Sequence, residues 1–127
     1  MINRTIAILL LSVLGSAPAL AHHTFSMFDQ SKRVLLEGEI NEFQWTNPHV
    51  WVQILVKQPD GKVVEWSIEG ASPNGLRRQG WSSKSLLPGM KVKLMMNPLK
   101  NGGPGGSLIS VTLPDGTLLG RKVEAND

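Results

Sequence analysis

The sequence predicts an all-β, mostly antiparallel fold, a small OB-like barrel with one short helix between its third and fourth strands. Three observations carry that expectation. After residue 32 the chain is a series of short β-branched and aromatic runs with period-two alternation. The breaks between the runs are turn signatures rich in Gly and Pro. One helical start-and-stop pattern occurs, and it follows the third run. An open antiparallel sandwich is the rival architecture, since strand order is not legible in a single sequence.

The chain opens with a segment that is expected not to belong to the fold. Met1 to Arg4 is a short positive start, Thr5 to Gly15 is apolar, and Ala19-Leu20-Ala21 is an A-x-A cleavage site. Residues 1–21 are thus read as a secretory signal, and the apolar run falls short of the ~20 residues that span a bilayer. With no Cys at the cleavage point, the product is expected to be a soluble periplasmic protein that begins at His22. Residues 22–32 are expected to dock on the sheet, because Phe25, Met27 and Phe28 need burial. Residues 33–127 are expected to form the OB-like domain.

Within that domain Val34 to Phe43 is the first strand. Its alternation through Val34, Leu36, Gly38 and Ile40 slips before Phe43 and Trp45, which predicts a bulge near Gly38 or Asn41. In the second strand Val50, Val52, Ile54 and Val56 share the core face, and His49, Trp51, Gln53 and Leu55 share the other. Gln58-Pro-Asp-Gly61 turns the chain into the third strand, Val63 to Ile68, where Trp66 alternates in phase with Val64 and Ile68 and is read as core. The helix spans Ser72 to Gly80, with Ser72 as N-cap, Pro73 in the first turn and Gly80 as the stop. Leu87-Pro-Gly-Met90 leads into Lys91 to Asn97. Asn101-Gly-Gly-Pro-Gly-Gly106 reads as a flexible loop, and Leu108 to Leu113 and Thr117 to Val123 are the last strands.

Composition excludes several functions. The absence of Cys removes thiolate catalysis, disulfides and Cys-based metal sites. A formal net charge of +3 includes Arg4 of the signal, so the mature chain is nearly balanced and offers no nucleic-acid argument. The glycine loop precedes no helix and lacks the lysine of a phosphate cradle. No nucleophile elbow occurs, and Glu37, Glu39, Glu65 and Glu69 read as solvent-facing strand carboxylates. The chain is not expected to be an enzyme.

The histidines are the informative residues. There are only three, His22, His23 and His49, and cleavage after Ala21 places two of them at the new N-terminus. An N-terminal His presents its α-amine and its imidazole to one ion, a chelate that orders a single residue. With His49 the set becomes nitrogen-rich, and copper(II) binds such sets most strongly among first-row divalent ions. The competing reading makes the pair a solvated tail and His49 a turn-fixing residue after Asn-Pro. Met27, Met90, Met95 and Met96 read as core filler rather than soft ligands.

Tryptophans supply an alternative from another class. Four of them, with no Tyr, are many for so short a domain. Trp45, Asn47 and Trp51 flank His49 and are candidates for a stacking surface that takes a small molecule, a glycan or an envelope protein without metal.

Five stretches in combination carry a family resemblance. They are Ala21-His-His-Thr-Phe-Ser-Met-Phe-Asp29, Glu42-Phe-Gln-Trp-Thr-Asn-Pro-His-Val-Trp51, Glu65-Trp-Ser-Ile-Glu-Gly70, Ser72-Pro-Asn74 and Arg78-Gln-Gly-Trp81. Together they resemble a secreted bacterial family known as domain of unknown function family 6152. The resemblance implies a small periplasmic β domain and brings no activity, substrate or cofactor with it.

Overall fold

The computed structural model describes residues 27–126. Among the described residues, six strands and one helix follow in the order β1 (Val34–Gln44), β2 (Trp51–Lys57), β3 (Val63–Glu69), α1 (Pro73–Arg78), β4 (Lys91–Pro98), β5 (Gly105–Thr112) and β6 (Leu118–Gly120). The sheet runs β3-β2-β1-β4-β5-β6, and a parallel pairing of β3 with β5 closes β1, β2, β3, β5 and β4 into a barrel. All other pairings are antiparallel. This is the OB-like barrel that the order of elements predicts.

Strand β1 serves both halves of the barrel, pairing with β4 through Val34 to Glu39 and with β2 through Glu39 to Gln44. Its register slips between Ile40 and Glu42, so Asn41 is the extra residue and the strand bends there. Gly38 lies just before the bend, where a Cβ would collide with the Leu55 carbonyl oxygen, so the close approach needs glycine. The slip read from the alternation is therefore real, and both residues singled out for it take part.

Inside the barrel, Val50, Val52, Ile54, Ile68, Leu94, Met96 and Val111 are buried to the last few square ångströms. Each fully buried aliphatic side chain of this kind stabilises the fold by roughly 1.5–3 kcal/mol. Leu76 of α1 and the following Trp81 and Leu86 join the same cluster and plug the barrel. Ser72 caps α1, its Oγ accepting from Gly75 N–H at 3.1 Å, and Pro73 occupies the first turn. Gly80 has φ +89°, the left-handed stop expected of it.

The glycine-rich stretch departs from the loop expected of it. Gly105 and Gly106 are buried residues of β5, held between β4 and β3. At Gly106 a Cβ would strike the Met96 sulfur and come within 2.6 Å of the Asn97 carbonyl oxygen. These two glycines are thus close-packing residues, and only Asn101 to Pro104 of the stretch lies outside the strands. The last strand is also shorter than its β-branched pattern suggests, ending at Gly120 with the tail to Asn126 irregular.

Phe28 is buried and bridges Leu99, with Asp29 N–H donating to Pro98 O and Lys100 N–H to Met27 O. The segment before β1 therefore runs antiparallel to the end of β4. Met27 remains half exposed.

Candidate functional site

Among the sequence candidates, His49 sits in the most constrained position. It lies in the loop that joins β1 to β2, which contains a cis Asn47-Pro48 bond. Thr46 Oγ1 donates to the His49 carbonyl oxygen at 2.9 Å, which pins the loop to its own turn. Val50 N–H donates to Ala71 O at 3.0 Å, and Gly70 N–H returns to Val50 O at 2.9 Å, so the loop is zipped to the end of β3. The imidazole is oriented from that platform, with Nδ1 3.0 Å from the Gly70 carbonyl oxygen.

That contact decides the tautomer. A carbonyl oxygen only accepts, so Nδ1 carries the hydrogen, and the neutral ring holds its lone pair on Nε2. Nε2 lies 3.5 Å from Glu69 Oε1, on a side chain that is 39% exposed. The Glu69 side chain is only 11% exposed, which corrects the reading of Glu69 as a solvent-facing carboxylate. Its strand position does point outward, but Trp51 stands opposite it on β2, Ser107 opposite it on β5, and His49 covers it.

Glu69 is the residue that sequence reasoning passed over. The signal was available: the tight turn after Lys57 fixes the β2–β3 register, and that register sets Trp51 against Glu69, two residues from His49. The fold of the loop over this pair is a tertiary fact with no local signature.

The aromatic candidates divide. Trp45 is half buried against the core, edge-on to Phe43 at 5.5 Å between ring centroids, with the Arg77 guanidinium of α1 5.6 Å from its ring centre. Trp51 stays outside the barrel on β2, and Asn47 is exposed in the loop. His22 and His23 lie outside the described residues. Among the described residues no group of three or more His, Asp or Glu is arranged to hold a metal ion.

The β2–β3 outer face that OB barrels present to ligands carries Trp51, Gln53, Leu55 and Lys57 on one strand and Val63, Glu65, Ser67 and Glu69 on the other. One lysine stands there against two glutamates, and Glu65 accepts from Asn41 Nδ2 at 2.5 Å.

The sequence profile of a family of unknown function, DUF6152, matches residues 9–108. The chain belongs to this family. Among solved structures, a mitochondrial single-stranded DNA binding protein from S. cerevisiae, Rim1, is similar with a TM-score of 0.50 at 13% identity. The match covers 68% of this chain and 94% of that one, and at such identity it speaks to the OB fold alone. No curated protein matches the chain. Among the described residues, no helix is long and apolar enough to cross a membrane.

Proposed function

We propose that this DUF6152 member is exported to the periplasm and binds copper there, through the N-terminus created at His22, through His23 and through His49. The observation that supports the reading is the Gly70 carbonyl on His49 Nδ1, which leaves Nε2 as the donor atom. Metal-binding histidines characteristically give their other ring N–H to a backbone carbonyl or carboxylate in this way.

The single-stranded DNA binding of the S. cerevisiae neighbour is not carried over. Grooves for single strands combine basic tracks with stacked aromatics, whereas the corresponding face here sets Glu65 and Glu69 against Lys57. The metal-free alternative, an envelope ligand stacked at this site, retains Trp51 as its one outward tryptophan. Trp45 is engaged with Phe43 and Arg77.

The test is a copper(II) titration of the exported chain, with its start at His22 checked by mass and tryptophan emission as the readout. Stoichiometric quenching at sub-micromolar affinity, lost in His49→Ala and lost when one residue precedes His22, is the expected result. Weak quenching that neither change alters rejects the metal and favours the metal-free surface.

A further inference from the structure

We propose that Glu69 is the anionic ligand of this centre, so that His49 Nε2 and Glu69 Oε1 form a two-point chelate built into the barrel that selects copper(II) over copper(I). The inference rests on the copper reading and adds to it a residue, a donor atom and an oxidation state.

Burial of Glu69 calls for a partner. A carboxylate with little access to water, as here at 11% side-chain exposure, is favoured by a cationic partner or a metal ion. Among the described residues no group donates a hydrogen bond to the Glu69 carboxylate, and the nitrogen facing it is His49 Nε2 at 3.5 Å. That distance is long for an N–H···O bond, whose usual length is about 2.9–3.0 Å. It suits two ligands of one ion: with metal–nitrogen and metal–oxygen bonds of about 2.1 Å, atoms so spaced subtend roughly 110° at the metal. A closing movement of about 0.5 Å brings the pair to the right angle of a tetragonal copper(II) site.

Both donors are held before any ion arrives. Glu69 is on a strand paired on both sides, to Trp51 and to Ser107. His49 is fixed through Gly70, the next residue after Glu69, so the same short stretch positions both ligands. Ligands on paired strands keep their geometry better than ligands on free loops.

The donor set also decides the oxidation state. Imidazole nitrogen and carboxylate oxygen suit copper(II), whereas copper(I) prefers thioether and thiolate sulfur. Of the described methionines, Met27 is half exposed on the segment that pairs with the end of β4, and the other three are engaged. Met96 is fully buried in the barrel, Met95 is buried, and the Met90 sulfur accepts from Leu87 N–H at 3.4 Å.

The experiment compares the exported native chain, Glu69→Gln and His49→Ala. Copper(II) is titrated against a competing chelator, and copper(I) against a chromophoric one. The expected result for Glu69→Gln, which keeps the shape of the side chain, is a copper(II) affinity roughly 100-fold weaker, the scale of losing a ligand or its close support. Copper(I) affinity is expected to stay within about threefold, since the carboxylate adds little to a soft ion. The native chain needs no substitution for a second readout: with 13C-carboxyl glutamate, copper(II) should shift one carboxylate band in the infrared difference spectrum. If copper(II) binds the native chain and is lost in His49→Ala, while Glu69→Gln binds as the native chain does and no carboxylate band moves, Glu69 is no ligand and the copper reading survives. Equal loss of both oxidation states overturns the selectivity. If the native chain does not bind copper(II), the copper reading and this inference fall together.

Discussion

At Gly106 the absence of a side chain is a packing requirement. The backbone passes so close to the Met96 sulfur and the Asn97 carbonyl that even one methyl group has no room, and both neighbours belong to the barrel wall. Gly106→Ala is therefore expected to cost about 1–3 kcal/mol through overpacking. Gly103→Ala, whose nearest neighbour is the exposed Asn101 side-chain oxygen at 3.1 Å, should stay within about 0.5 kcal/mol. Denaturant midpoints of the two variants check the contrast, and equal effects would mean that β5 does not approach β4 as described. Asp29 offers a pH-dependent counterpart. The Ser31 hydroxyl, chiefly, holds the Asp29 carboxyl below the usual carboxylate range, with desolvation opposing it and the Ser31 N–H adding to it. A carboxyl lowered in the folded state adds stability above its unfolded pKa, and that stability is lost as pH falls through the folded value. The thermal midpoints of the native chain and Asp29→Asn should thus differ at neutral pH and converge in acid; a gap that widens in acid contradicts the sign.

Among the elements, α1 has only the residues Pro73–Arg78 and depends on its ends. Helices so short do not persist alone in water, so the Ser72 cap and the burial of Leu76 carry it. Ser72→Ala is expected to cost about 1 kcal/mol, and Leu76→Ala about 2–5 kcal/mol by opening a cavity in the plug. Chemical denaturation of the two variants reads this, and a larger loss for the cap than for the leucine would refute the account. The strands and this helix were legible because each has a local cause: alternation for β2 and β3, a turn residue after each strand, a cap and a stop for α1. Even the β1 bulge was legible, since one extra residue flips the phase of everything after it. The role of Gly105 and Gly106 was not, because a glycine that admits a neighbouring strand and a glycine that loosens a loop look alike in sequence. The same holds for Glu69. Its alternation assigns it to the outside correctly, and its burial comes from the β1–β2 loop folding across it, which no periodicity encodes.

For the whole molecule, the closure of the barrel and the candidate centre share one seam. The β1–β2 loop, the end of β3 and the start of β5 meet where Val50, Gly70 and Leu108 pack, with a Cβ on Gly70 falling 2.5 Å from the Val50 side chain. Strand β3 pairs with β5 only through Ser67, Ile68 and Glu69, so the last ligand candidate is also the last rung that closes the barrel. An ion bound between Glu69 and His49 consequently ties that rung to the β1–β2 loop in the native state, and the unfolded chain offers no such arrangement. Ligand that binds only the native state stabilises by mass action, by about 2.7 kcal/mol when free ligand stands at 100 times its dissociation constant. Copper(II) at that excess should raise the unfolding free energy of the exported native chain by at most this amount, less whatever an N-terminal chelate at His22 retains in the unfolded chain, and should stabilise His49→Ala less. Hydrogen exchange should slow most at Val50 and Gly70, whose N–H groups form the zipper beneath the site. Stabilisation without local protection there would place the ion somewhere other than the seam.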